Sequence, residues 1–313
     1  MKVEKKENVK KERKLGHKEN VFSLACFAIF DWFWFLVMGL PVLVMALSLM
    51  FVDMNGYQMD TMRWNNFANF KDVLTDEVFW KSILMTLAYL SVNIIAIFVS
   101  VITAIMLSLK YPGHKLFTAI TFIPNLCSSV VVSLIWLTMF DVNYGVINDV
   151  IVQLLGEDSR VLWYTQEVPF FFMICIIGLW TATAGPIVYC NAGLTNVPRE
   201  LYEACSIDGG SKWQQFRYIA IPTIRPMISY LTITGVMGGL QGYGIQLIIG
   251  GALGNSWTGA AGPNNAALTT MLYAYNEGVL YGRMPRSTVI SMLLGILVFI
   301  VTLIQIQHER RRD

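Results

Sequence analysis

Six apolar runs, each long enough to cross a bilayer, leave this chain little choice of fold. They fall at about residues 33–52, 83–109, 117–140, 169–192, 219–250 and 288–306, and a helical span needs roughly 17–25 apolar residues. Charged residues make up only 14% of the 313, against about a quarter in soluble domains. The chain therefore reads as all-α, a polytopic membrane protein with six transmembrane helices. The fifth run is longer than one span needs, so its last part is expected to leave the bilayer or to re-enter it.

Charge sets the expected orientation. Eight Lys and Arg precede the first run, two lie at Lys110 and Lys115, four at Arg199, Lys212, Arg217 and Arg225, and three at the C-terminus, so 17 of 23 fall on one side. The other side holds Arg63, Lys71, Lys81, Arg160, Arg283 and Arg286. The richer side is cytoplasmic by the positive-inside rule, which places both termini and the segment around Glu203 there. Residues 1–20 read as a basic cytoplasmic tail with affinity for anionic membrane lipids, and residues 21–313 as the six-helix membrane domain. A cleavable leader does not fit, because the apolar stretch after the tail is too long and Asp31 interrupts it. Ser23-Leu24-Ala25-Cys26 resembles a lipoprotein cleavage site only faintly, since no hydrophobic region precedes it.

Several chemistries find no support. Cys26, Cys127, Cys175, Cys190 and Cys205 show no paired metal spacing and read as small buried hydrophobes rather than disulfides. His17, His114 and His308 are scattered, so neither a metal nor another cofactor is expected. The apolar cores of the runs hold essentially no ionisable residue, whereas a proton- or sodium-coupled carrier commonly uses one as its relay. A phosphate-binding GxxxxGK[ST] loop is missing as well, so energy for pumping would have to come from another polypeptide.

The most specific stretch is polar. Pro198 to Pro222 reads PRELYEACSIDGGSKWQQFRYIAIP and lies between the fourth and fifth apolar runs. Pro198 suits the first turn of a helix, and Glu200 and Glu203 sit near the positive end of its dipole. Gly209 and Gly210 are expected to end that helix in a left-handed cap. Ser211 followed by Gln214 is a capping-box spacing, so a second short helix should start there and run into the membrane near Pro222. Helix, tight turn, helix results, with small Ala204 and Cys205 allowing a partner to approach closely. An ordinary amphipathic loop is the competing reading.

Polar residues inside the runs are uncharged. Asn125, Ser128, Ser129 and Ser133 lie in the third, Thr181, Thr183 and Asn191 in the fourth, and Thr232, Thr234, Gln241, Tyr243 and Gln246 in the fifth. Each alone can serve to hold helices together. Together, hydroxyls and amides suit a neutral, hydroxyl-rich solute, and Tyr243 and Trp180 offer faces for a sugar ring. Thr234, Gly238 and Gln241 stand at i, i+4 and i+7 on one helical face. Gly235, Gly239 and Gly242 beside them imply either a cavity or close helix packing of the GxxxG kind.

The polar stretch resembles the Glu-Ala-Ala loop of binding-protein-dependent ABC importer permeases, through Glu203, Ala204, Cys205, Asp208, Gly209, Ile219, Ile221 and Pro222. Cys205 stands where the second Ala is usual and Ile221 where Leu is. The likeness runs from about Pro41 to the C-terminus and is similar to the carbohydrate branch, the maltose and glycerol-3-phosphate type. It is carried also by Asn66 to Phe70, Phe79 Trp80, Thr86, Phe122 Ile123 Pro124 and Trp136. Asn143 Tyr144 Gly145 with Asn148, Trp180, Ala192 Gly193 Leu194, and Pro198 with Leu201 and Tyr202 complete it.

That resemblance implies a type I ABC importer permease fold, with residues 193–222 as the coupling loop. Glu200, Glu203, Ala204, Asp208 and Gly209 would then seat in a cleft of an ATP-binding subunit. Positions that touch sugar in the larger maltose permease subunit correspond to Asn125, Ser129, Thr181, Ala182, Gly185, Thr234, Gly238 and Gln241. The small Ala182 and Gly185 imply a saccharide bulkier than maltose or of another shape. The implied partners are a second, homologous permease completing a heterodimer, a dimer of ATP-binding subunits, and an extracellular or periplasmic sugar-binding protein; nucleic acid is not among them. GGALGNSWTGAAGPNN, residues 250–265, departs from the family's Gly-Gly-Pro by an insertion that either contacts the binding protein or is a tolerated surface loop.

The function implied is sugar import by a transport subunit that is not itself an enzyme. Import of glycerol phosphate or another polar solute is the alternative within the class, although no Arg or Lys facing a cavity is evident within the spans to meet a phosphate. A passive channel, a secondary carrier or a non-transporting scaffold are rivals from other classes.

Overall fold

A computed structural model of the chain describes residues 28–54, 56–109, 111–252 and 261–311. The basic tail, Cys26 and the centre of the glycine-rich insertion, 253–260, lie outside the described residues. The first helix, α1 (Ala28–Leu49), is apolar but for Asp31 and packs little against the other described residues. An antiparallel pair, β1 (Val52–Asp53) and β2 (Arg63–Trp64), then leads to α2 (Ala68–Leu74) and α3 (Glu77–Ser108). Asp76 caps α3, its carboxylate accepting from the Val78 N–H at 2.9 Å. With 32 residues, α3 is about 48 Å long and outreaches a hydrocarbon core of about 30 Å.

The chain continues through α4 (His114–Leu126), α5 (Ser129–Met139), α6 (Val146–Leu155) and α7 (Glu167–Thr195). Next come α8 (Arg199–Ile207), α9 (Lys212–Gln215) and, through a wide turn at Phe216–Ala220, α10 (Ile221–Gln241). The last helices are α11 (Gly244–Ala252), α12 (Thr270–Tyr275) and α13 (Met284–Arg310). Among the described residues, five helical stretches are long and apolar enough to span a bilayer, and a sixth if the pair α4 and α5 is one bent span.

Two of the expected runs are not continuous. The run at 117–140 turns through 108° between α4 and α5. Pro124 removes a backbone donor in the last turn of α4, Cys127 is extended, and the Ser128 hydroxyl caps α5 by accepting from the Val131 N–H at 3.3 Å. The run at 219–250 breaks at Gly242, which is extended. Its last part, α11, lies against α5, and the stretch from Lys212 to Gly251 carries no bend like that between α4 and α5.

The core is built where α3 and α7 pack extensively on each other and α10 packs against both. Tyr89, Phe140, Phe170, Met173, Ile174 and Ile177 are buried together, and a second group, Val73, Phe79, Leu272, Val289 and Ile290, joins α2 and α3 to α12 and α13. At that second group Arg286, on the first turn of α13, pairs with Asp72 and Asp76, and its Nε lies 3.3 Å from Glu277. Tyr273 donates to Asp76 and accepts from Arg286 at 2.9 Å. Burial pushes the Glu277 carboxyl up, opposed by Arg286 and Arg283.

Candidate coupling loop and translocation cleft

The loop after α7 folds on its own bonds. Pro198 is extended and stands just before α8 rather than in its first turn, with Arg199 opening the helix and Glu200 in the first turn. At the other end Gly209 is left-handed, φ +79°, its N–H donating to the Ser206 carbonyl at 3.2 Å, while the Gly210 N–H donates to the Cys205 carbonyl at 2.8 Å. These two bonds make a Schellman cap. A Cβ on Gly210 would stand 2.6 Å from the Cys205 carbonyl oxygen, so the turn closes tightly only with glycine there.

The second helix is capped as its spacing predicts. The Ser211 hydroxyl accepts from the Gln214 N–H at 3.3 Å, and the Gln214 side chain accepts from the Ser211 N–H at 2.6 Å. Gln215, which sequence reasoning passed over, ties the two helices together. Its buried amide donates to the Tyr202 carbonyl at 3.2 Å and to the Ser206 hydroxyl at 2.7 Å. Burial also raises the Tyr202 phenol above its usual value. Glu200, Glu203, Ala204, Asp208 and Gly209 remain exposed on the outside of this unit. Ile207 is 85% exposed and Trp213 64%, a large apolar presentation that the described residues leave uncovered.

The expected solute positions separate into groups. Ala182, Gly185 and Thr234 come together, lining one open cleft of about 220 Å³ between α3, α7 and α10. Thr181 turns its hydroxyl back onto the Ile177 and Gly178 carbonyls, both at 3.0 Å. Gly238 and Gln241 continue the exposed face of α10 beyond Thr234, and a Cβ on Gly238 would meet nothing within 4 Å. Asn125 and Ser129 flank the α4–α5 bend, Ser129 facing Gly244 of α11. Tyr243 is set against Tyr275, ring centroids 5.8 Å apart, and packs with the second core group. Trp180 meets Trp136 edge to face at 5.6 Å.

The glycines of α10 serve both readings, on different faces. A Cβ on Gly235 would lie 2.9 Å from Ile97, and one on Gly239 would lie 3.0 Å from both Leu90 and Asn93, so these two let α3 approach. Gly238 borders open space instead. The cleft walls also include Asn93, Pro186 and Tyr189, which sequence reasoning did not single out. Asn93 is the only amide in its apolar run, which was the available signal. None of the described cleft-lining residues is Asp, Glu, Lys, Arg or His.

Residues 96–312 match the family described as the inner membrane component of binding-protein-dependent transport systems. The chain belongs to this family. This permease is 29% identical over 258 residues to the lactose transport system permease protein LacF of Rhizobium radiobacter, covering 80% of the chain and 83% of the relative. It is 27% identical over 237 residues to the arabinooligosaccharides permease AraP of Bacillus subtilis, with coverages of 75% and 72%. A third relative, the trehalose/maltose permease MalF of Thermococcus litoralis, is 28% identical over 247 residues, with coverages of 78% and 80%. Among solved structures, a bacterial ABC transporter that imports the acidic polysaccharide alginate superposes with a TM-score of 0.79 at 20% identity, covering 96% of this chain and 99% of that one. The all-α, multi-pass fold is thus that of an ABC importer permease, and the permease is a membrane-embedded transport component.

Proposed function

We propose that this permease imports a neutral oligosaccharide as one half of a heterodimeric pore, driven through α8 by an ATP-binding subunit. The observation that carries the coupling role is α8 itself, a helix capped at its C-terminal end and tied to α9, which leaves Glu200, Glu203 and Ile207 exposed. A partner that moves such a rigid unit moves α7 and α10, the helices it joins. The loop and both termini face the cytoplasm in this reading, because that side carries most of the Lys and Arg. A second permease, two ATP-binding subunits and an external binding protein complete the assembly. A related alginate transporter has been solved together with a periplasmic protein carrying an alginate pentasaccharide.

The names of the relatives support a saccharide cargo. The uncharged cleft favours a neutral one over a phosphate ester, which would call for a cation. Uptake of radiolabelled oligosaccharides by cells making the permease at its native level tests this. With Glu203→Ala, uptake is expected to fall to background while the permease stays in the membrane in normal amount; undiminished uptake would contradict the coupling role.

A further inference from the structure

The cleft between α3, α7 and α10 carries more chemistry than the positions taken over from the family account for. Pro186 stands inside α7 without an N–H, so the Ala182 carbonyl one turn earlier lacks its ordinary helical donor. Both residues line the cleft, as does Asn93. The Asn93 amide donates one hydrogen to the Tyr89 carbonyl at 3.3 Å, which leaves it a second hydrogen and an acceptor oxygen. Thr234 gives its hydroxyl proton to the Tyr230 carbonyl at 2.9 Å, and so can only accept from a solute. Tyr189, four residues beyond Gly185 and about 6 Å along the helix, lines the same cleft and meets Tyr230 edge to face, centroids 6.2 Å apart. Both rings are 54% exposed.

The geometry points to a site for a single uncharged sugar ring, seated on Tyr189 with its hydroxyls on the Ala182 carbonyl and the Asn93 amide, and closed to uronate units. The inference rests on the sugar reading above and adds to it the size and charge of the unit held and the residues that hold it. Size follows from the roughly 220 Å³ of space, below the 300–1,000 Å³ of pockets that enclose a drug-sized ligand, so further rings of an oligosaccharide extend beyond it. Aromatic faces and neutral acceptors stabilise a ring without bearing charge. A uronate carboxylate would be desolvated here with no cationic partner among the described lining residues.

The test uses the whole complex, with this permease at full length, in proteoliposomes supplied with its binding protein. Radiolabelled lactose, trehalose and arabinotriose serve as uncharged probes and an alginate trisaccharide as the charged one. The affinity of the binding protein for each is measured alongside, so that selection there is not ascribed to the cleft. At least one uncharged probe is expected to be taken up, with excess alginate trisaccharide neither transported nor competing. Asn93→Ala and Tyr189→Leu should each raise the KM about tenfold, the loss of roughly one hydrogen bond or ring contact, whereas Tyr189→Phe should stay near wild type. Wild-type KM values in both Asn93→Ala and Tyr189→Leu, or efficient alginate uptake, would overturn the inference alone. Uptake of none of the uncharged probes would strike the sugar reading itself and this inference with it. Should Tyr189→Leu fail to assemble, the competition between charged and uncharged probes on the wild type still decides the charge claim.

Discussion

The two ends of this permease are held together in opposite ways. At the α8 end, the bonds that shape the unit join residues no more than 13 apart in sequence, the longest reaching from Gln215 to Tyr202. At the Arg286 end, beside near contacts of Arg286 with Tyr273 and Glu277, they also join residues about 200 apart, Arg286 to Asp72 and Asp76 and Tyr273 to Asp76. A unit closed by its own local bonds can be gripped and moved by a partner without losing its shape. A cluster closed by distant residues instead fixes where α2, α3, α12 and α13 stand relative to one another. The difference suits the machine proposed above, driven from one end with its helices kept in order at the other.

The largest effect that would break this contrast is expected from Arg286→Met. Three carboxylates lose their shared cation, and orphaning one side of a buried pair costs about 3–5 kcal/mol. Because Asp72 is 60% exposed at its side chain, the lower end of that range applies. Thermal unfolding in detergent should show the loss, and an unchanged midpoint would mean that the cluster does not order the helices. Gly210→Ala comes next. Its Cβ crowds the Cys205 carbonyl, at a cost of about 1–3 kcal/mol, and hydrogen exchange should rise over residues 199–215 while the Arg286 end keeps its protection.

A finer cut separates the two faces of α10. Gly239→Ala places a methyl 3.0 Å from Leu90 and Asn93 and should destabilise by about 1 kcal/mol. Gly238→Ala meets open space and should be neutral or stabilising by up to about 1 kcal/mol. Equal effects at both positions would erase the distinction between packing face and open face.

The smallest expected effect is on pH dependence. Burial raises the Glu277 carboxyl, so the folded state keeps that proton to higher pH than the unfolded chain does. Its contribution to stability is present below the ordinary carboxylate range and declines as pH rises through the raised folded value. Melting of Glu277→Gln should lack that decline, and an identical pH profile would remove the carboxyl from the account.

What could be read from sequence follows the same division. The glycine cap at Gly209 and the Ser211–Gln214 box are chemistry of near neighbours, and both stand where their spacing puts them. The α4–α5 bend was signalled by Pro124 and the Ser128-Ser129 pair, but the apolar composition of the run masked it. Arg286 could be assigned to a side of the membrane by charge counting, yet nothing in its own neighbourhood names Asp72 or Asp76 as partners. Asn93 and Tyr189 became visible as cleft walls only once α3, α7 and α10 were set side by side. In Gly235, Gly238 and Gly239 the sequence showed room without showing which face needed it.

The central claim is that α8 seats in an ATP-hydrolysing partner. Purification of the tagged permease from its native membrane in mild detergent, with mass spectrometry of its companions, tests this most directly. The wild type should bring down a related permease and an ATP-binding subunit in fixed proportion, and Glu203→Ala should keep the permease partner while losing the ATP-binding subunit. Recovery of the ATP-binding subunit in full with both Glu203→Ala and Ile207→Asp, or its absence from the gently extracted wild type, would contradict the claim.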